Sequence, residues 1–491
     1  MTANVKPKQA VRTAITPTRA DNFPEWYQQV IKEADMAENA PVRGCMIIKP
    51  YGYAIWENIQ REFDKMIKRE GVSNAYFPLL IPLSFIAKEA EHIDGFAKEC
   101  AIVTHHRLTK NAKGELVPDP ESILSEPLII RPTSETIIGE AFSRWVQSYR
   151  DLPLKINQWA NAMRWEMRPR LFLRTSEFLW QEGHNVLETA EEADKDARRM
   201  LDVYKTFFEE YLAIPPIIGV KTPEERFPGA VETYTVETIL QDGKALQAAT
   251  SHNLGQTFSK SSGIKFQGRN GGEQMAWTTS WGMSTRTIGG LIMCHGDDDG
   301  MIVPPRLAPH QVVIIPIVRD ENDRAAIVDF CGKLETRLTG QGVRVLLDLR
   351  DMQTPDKMWG WIKRGVPLRV EVGMREVAEG KLTAVRRDLG KEGKKILTVD
   401  EFCGSVTGEL DAMHKALFEK AKARIAGQIK SIASIKEMKD FFAAETQGCI
   451  SMDVALLEDP EFNAVCKEFS LTPRCMPFSD AGRKVIVGKA Y

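Results

Sequence analysis

Phe178-Leu179-Trp180-Gln181-Glu182-Gly183-His184 is the run on which the reading of this chain turns. A lone histidine such as His184 is most often packed in a core, but a run this long is specific. Upstream stand Arg164-Trp165-Glu166 and Phe172-Leu173-Arg174-Thr175. Downstream come Gln247-Ala248-Ala249-Thr250-Ser251-His252 and Gly282-Met283-Ser284-Thr285-Arg286. Arginine is a planar, permanently charged fork that suits phosphate and carboxylate oxygens. Two such forks, spaced by polar loops, read as a clamp for a polyphosphate and an acid.

The surroundings of that run decide the fold class. Residues 125 to 300 alternate short apolar strands, such as Leu128-Ile129-Ile130 and Trp277 to Trp281, with polar loops and a helix from Glu191 to Leu212. This pattern suits a mixed, mostly antiparallel sheet better than regular βαβ units. No glycine-rich phosphate loop follows any strand, so side chains must hold a bound nucleotide.

Working outward, Ile55, Ile59, Phe63, Met66 and Ile67 recur at helical spacing between Tyr51 and Glu70, and Gly71 stands where a helix ends. Ala75 to Pro82 reads as an edge strand, because its prolines cannot donate to a ladder. Beyond Val303-Pro304-Pro305-Arg306-Leu307-Ala308-Pro309 the pattern becomes strand, helix, strand, helix, strand. Its parts are Gln311–Pro316, Ala325–Leu338, Gly342–Leu347, Lys357–Arg364 and Leu368–Val372. The region from about Glu401 to Tyr491 starts helical and ends in a strand at Lys484 to Val487. The expected division is a disordered extension over 1–20, a core over 21–305, a compact α/β domain over 306–405 and a C-terminal α+β domain over 406–491.

Bulk properties set wide limits. The chain has 491 residues, 43% hydrophobic and 27% charged, which allows several cores. A net charge of −2 neither favours nor excludes an RNA partner. No stretch is apolar enough to span a bilayer. The 8 cysteines include no C-x-x-C pair, which fits reduced thiols in a cytoplasm. The basic start, Met1 to Arg19, lacks the apolar centre of a secretory signal; it reads as a tail, with an organelle-targeting segment as the alternative.

The order Arg131-Pro132-Thr133-Ser134-Glu135, Arg164-Trp165-Glu166, Phe178 to His184, then Trp281-Gly282 and Arg286 resembles the prolyl-tRNA synthetases of the archaeal and eukaryotic type. These are class II aminoacyl-tRNA synthetases. The resemblance covers about Phe23 to Tyr491 and implies an ATP-dependent ligase. It would activate L-proline to prolyl-adenylate and pass it to proline tRNA as a homodimer. The helix and edge strand at Tyr51–Pro82 would form the dimer contact. The hundred or so residues between Arg174 and Gly282 are too few to add an editing insertion to the core.

The resemblance also implies the site. Arg164 would face the α-phosphate and Arg174 the γ-phosphate side. Arg286 would stack on adenine or touch the γ-phosphate, while Glu166 would accept from the adenine amino group or hold Arg164. Thr175, Gln247, Thr250 and Thr285 complete the ATP set. Thr133 and Glu135 would take the secondary ammonium of proline. Phe96, Trp180, Glu182 and His184 would wall its ring, with His252 and Ser284 nearby. Mg²⁺ is expected with ATP, without a dedicated protein metal cage. His295-Gly296-Asp297-Asp298-Asp299-Gly300 looks like a metal site but reads better as structure.

Two departures stand out. Relatives often carry four zinc-ligating cysteines near the C-terminus; here only Cys449, Cys466 and Cys475 are candidates, so zinc is expected to be absent. Relatives also show Trp-Glu-x-Lys-Gly before a Val-Pro pair, whereas this chain has Trp361-Ile362-Lys363-Arg364-Gly365. The following Val366-Pro367-Leu368-Arg369-Val370-Glu371 matches, leaving Arg369 as the candidate anticodon reader. The lost carboxylate motivates an alternative: a specialised paralogue charging a modified amino acid. A non-catalytic RNA-binding paralogue is disfavoured by the intact Arg164, Arg286, Thr133 and Glu135.

Overall fold

The computed structural model describes residues 13–87 and 99–491. They form two compact units. One gathers the described residues up to Glu38, Ile48–Asn58 and Leu291–Glu419; the other gathers Asn39–Ile47, Ile59–Gly290 and Lys420–Tyr491.

The larger unit is built on an 11-stranded sheet. From one edge its central strands are Ile217–Val220, Glu232–Ile239, Ala245–Gly255, Trp277–Ser284, Glu177–Leu187 and Leu154–Met163, each antiparallel to the next. The helix Ala190–Glu210 covers one face. Thr189 caps it by accepting from the Glu192 amide. Ala193, Ala197, Met200, Tyr204, Phe207 and Phe208 recur at three- and four-residue spacing and are all buried. Tyr204 stacks on Phe63 at 5.1 Å and donates to Gln181 Oε1 at 2.7 Å. Gly183 cannot be replaced here, since a Cβ would lie 1.9 Å from the Trp281 ring.

The predicted helix at Tyr51 to Glu70 is present as Pro50–Arg69. The predicted edge strand at Ala75–Pro82 is not one strand. Ser73–Asn74 ends the large sheet beside Leu154–Met163. The chain then leaves through Pro78, and Leu80–Pro82 joins Ile123–Ile130 and Ile102–His105 in a separate three-stranded sheet.

The strands of the expected C-terminal domain, which has its own apolar core, do not form a separate sheet. Ile429–Ser431, Cys449–Asp453, Lys484–Gly488 and Thr472–Pro477 extend the core sheet itself. Thr472–Pro477 pairs with Ile217–Val220 through Gly219↔Pro477 and Val220↔Met476. A buried ion cluster completes the junction. Glu237 accepts from Lys221 at 2.8 Å and from Arg474 at 3.0 Å.

The smaller unit carries a five-stranded sheet in the order Val345–Leu347, Val312–Ile317, Leu368–Gly373, Lys381–Arg386 and Lys394–Thr398. The first three strands are parallel, as the alternation of strands and helices predicts. Val312, Ile314, Ile327, Leu334, Val370, Phe402 and Val406 form its core. The acidic run at 297–299 has a structural use here. Asp297 receives the Arg387 fork at 2.5 and 2.7 Å, Asp298 pairs with Arg19, and Asp299 accepts from the Ala14 amide. With Ile15 fully buried, these contacts fix Thr13 to Arg19, which the sequence assigned to a disordered extension. Residues 1–12 of that extension lie outside the described residues.

Candidate functional site

Alternation along the central strands decides which side chains meet. Trp180, Glu182 and His184 share one face. Across the ladder Ser284 is opposite Trp180, Gly282 opposite Glu182 and Ser280 opposite His184. The next strand adds Thr250 beside Gly282 and His252 beside Ser280; the one after adds Thr233 beside His252. This face is the floor of a cavity of about 500 Å³. Gly282 leaves its centre free of side-chain bulk.

One end of the cavity is cationic. Arg164 donates to the Pro132 carbonyl at 2.9 Å, and its guanidinium stands over the Phe178 and Trp180 rings at 5.5 and 5.6 Å. Arg286 donates to the carbonyls of Leu173 and Gln247. Burial, then the charges of Arg164 and Arg174, push the Arg286 guanidinium down to about 10. Burial also lowers Arg164, against the pull of Glu135 and Glu182. Cations that repel one another across a cleft are arranged for a polyanion.

Arg174 reaches the cleft from a tight loop. Arg170 and Arg174 exchange backbone hydrogen bonds at 2.6 and 2.9 Å. At its turn Phe172 takes φ 63°, a left-handed conformation held by burial of the ring. Glu166 accepts from the Arg168 amide at 2.7 Å, and so braces this loop.

The other end is acidic and close-packed. Arg131 is buried and donates to the carbonyls of Phe77 and Asn161 at 2.7 and 2.8 Å, which fixes the segment that follows. Thr133 donates to Glu135, the first residue of the Glu135–Trp145 helix. Ser134 stands at that helix's N-cap but donates instead to Glu182. Glu182 also accepts from Gln158 at 2.6 Å and bonds His184 at 3.0 Å. Burial works against a charged His184, yet the bond to Glu182 and the charges of Glu182 and Glu135 raise its pKa. His252 goes the other way. Burial, with His184 second, pushes it down to about 3, so it is a neutral ring bonded to Thr233 at 3.0 Å.

Nearly all the candidate residues converge here. Thr133, Glu135, Arg164, Glu166, Arg174, Thr175, Trp180, Glu182, His184, Gln247, Thr250, His252, Ser284 and Arg286 line the cavity. Three do not join them. Thr285 is fully buried and outside the lining, because the alternation that exposes Ser284 turns it away. Arg369 belongs to the smaller unit, where it is mostly buried and paired to Glu371 at 3.0 Å. Phe96 lies outside the described residues. Sequence reasoning missed Phe227, whose ring lies 4.6 Å from His252, and Ser280, between the two histidines. The signal for Ser280 was its place on the alternating face; Phe227 sits in a loop without a motif.

A family model described as "tRNA synthetase class II core domain (G, H, P, S and T)" matches residues 120–295, and one described as "Anticodon binding domain" matches 311–408. The chain is 56% identical over 471 residues to the "Proline--tRNA ligase" of Bdellovibrio bacteriovorus, covering 95% of this chain and 94% of that protein. It is 51% identical over 490 residues to the protein of that name in Paramagnetospirillum magneticum, covering 98% and 97%. With "Proline--tRNA ligase 2" of Anaeromyxobacter dehalogenans the figures are 52% over 483 residues, 95% and 94%.

Proposed function

The chain belongs to the proline–tRNA ligases, within the class II aminoacyl-tRNA synthetases, and from that premise we propose how its residues divide the work. The enzyme activates L-proline with ATP to prolyl-adenylate and transfers the prolyl group to proline tRNA, releasing pyrophosphate and AMP. Nothing in the site supports the alternative of a paralogue for a modified amino acid.

The observation that carries the assignment is the polarity of the cleft: guanidinium groups at one end, the Glu135 and Glu182 carboxylates at the other. Activation brings a carboxylate against the α-phosphorus of ATP, so both reactants are anionic. Charge neutralisation and alignment then count for more than proton transfer. Arg164, the cation of that end that also feels the Glu135 and Glu182 charges, neutralises the α-phosphate. Arg174 and Arg286 hold the outer phosphates and the base. Mg²⁺ adds charge neutralisation when it arrives with ATP. Among the described residues no group of three metal-ligating side chains converges, so phosphate oxygens and water would hold it.

Glu135, with Thr133, takes the ring ammonium of proline; Trp180, Phe227 and neutral His252 enclose its methylenes. ATP–pyrophosphate exchange tests this directly. Glu135→Gln should raise the KM for proline about 10- to 100-fold, the loss of a charge-assisted hydrogen bond of roughly 1.5–3 kcal/mol. The KM for ATP should stay within about twofold on the same reasoning; equal rises would make Glu135 structural.

Assembly as a homodimer through Tyr51–Pro82 is supported by the exposed apolar side chains Tyr76 and Leu80 in that segment. Such side chains suit a two-fold contact in which each copy meets its equivalent. Sedimentation should show a dimer at micromolar concentration, and a monomer throughout would reject it. A cytoplasmic location follows from the same reading; no helix among the described residues is long and apolar enough to cross a membrane.

The C-terminal cysteines do not fit zinc. Among the described residues Cys449, Cys466 and Cys475 do not gather with one another or with His, Asp or Glu into a group that could hold a metal ion, whereas structural zinc takes four converging ligands. Elemental analysis of the purified protein should find no stoichiometric zinc; one zinc per chain after dialysis would refute this.

A further inference from the structure

We propose that Arg474, brought in by the C-terminal strand Thr472–Pro477, is a positioning residue for the nucleotide end of the site: it occupies Glu237 so that Arg286 stays turned to the cleft. The proposal rests on the assignment of Arg286 to ATP.

Glu237 continues the face that forms the cavity floor. Thr233, Thr235 and Glu237 alternate along one strand; Thr233 lines the cavity, and Thr235 donates to Glu237 at 3.1 Å. The opposite strand bulges at this level. Val236 pairs with Ala249 and Glu237 with Gln247, which leaves Ala248 as the extra residue. Gln247, Ala248 and Ala249 all line the cavity, and the Gln247 carbonyl accepts from Arg286 Nη1 at 3.5 Å. The residue paired across the ladder from Arg286's own acceptor is therefore a buried carboxylate.

Left with a free oxygen, that carboxylate would be a stronger partner for the Arg286 fork than a neutral carbonyl. Its oxygens are taken instead. Lys221 holds Oε1 at 2.8 Å, and Arg474 reaches Oε2 through Nη2 at 3.0 Å and Nε at 3.2 Å. Both cations are nearly inaccessible to water, so the interaction is little screened. Two cations on one anion leave the cluster net positive, which adds to the repulsion that keeps Arg286 directed at an incoming polyanion. Arg286 feels both the Arg474 and the Glu237 charge. Removing Arg474 alone would free Glu237 to draw Arg286 back.

The test is ATP–pyrophosphate exchange on the full-length protein, with thermal unfolding measured for each variant. Arg474→Met should raise the KM for ATP about tenfold and leave the KM for proline within about twofold, consistent with one lost charged contact. Adding Glu237→Gln removes the competing carboxylate and should bring the KM for ATP back to within about threefold of wild type on the same argument. If the methionine variant does not fold, Arg474→Gln, which keeps a donor but no charge, carries the same expectation. A folded single variant with an unchanged KM for ATP overturns the proposal, as does a folded double variant as impaired as the single one. Arg286→Ala separates the two readings. A raised KM for ATP there with none at Arg474 rejects the proposal alone; no effect at Arg286 rejects its assignment to ATP and the proposal with it.

Discussion

Arg164→Ala should lower kcat for ATP–pyrophosphate exchange by about 10²–10³-fold, the range for removing one preorganised donor to developing charge. The reason is its position: it is anchored to the Pro132 carbonyl, set over Phe178 and Trp180, and acted on by the Glu135 and Glu182 charges. The urea midpoint should change little, because deleting a desolvated cation among other cations removes a strain as well as a contact. Arg164→Lys should also be poor, since an ammonium cannot keep the carbonyl bond and present a second planar edge to phosphate. Near-wild-type exchange in the alanine variant would end the assignment.

The second large effect concerns stability. Glu182→Ala should cost about 3–5 kcal/mol, the penalty for breaking a buried charged pair and leaving its partners unmatched. Ser134, Gln158 and His184 would all lose an acceptor in a dry interior. The effect carries a pH signature. The pKa of His184 is raised above its ordinary 6.5, so its contribution is complete below about pH 6.5 and is lost as pH rises through the higher folded value. His252 is depressed from 6.5 to about 3, so its contribution is present above pH 6.5 and fades as pH falls toward 3. Wild-type stability should therefore decline on both sides of that value. Glu182→Gln should flatten the alkaline limb and spare the acid one; an unchanged alkaline slope would show that His184 is not held charged by Glu182.

Much of this was legible in the chain because periodicity reports burial. Ile55, Ile59, Phe63 and Ile67 announced one face of a helix, and all four are fully buried. The alternation of strands and helices in the smaller unit was equally plain, since a strand buried on both faces, such as Val312–Ile317, must be apolar throughout. What escaped was set by pairing between distant strands. No local pattern says that Thr472–Pro477 pairs with Ile217–Val220, or that Ser280 stands between His184 and His252. The pairing of Arg369 with Glu371 was within reach, because residues two apart on a strand share a face. The division of Ala75–Pro82 was not, since proline forbids a ladder bond without saying where the chain goes next.

The junction of Thr472–Pro477 with Ile217–Val220 bears on the order in which the protein is made. The ribosome delivers the central strands long before Thr472–Pro477, so the growing polypeptide holds the Ile217–Val220 margin open until that strand emerges. An unpaired margin is a template for another chain. Messages cut short before Thr472 should therefore yield sticky, chaperone-bound fragments rather than a smaller working enzyme.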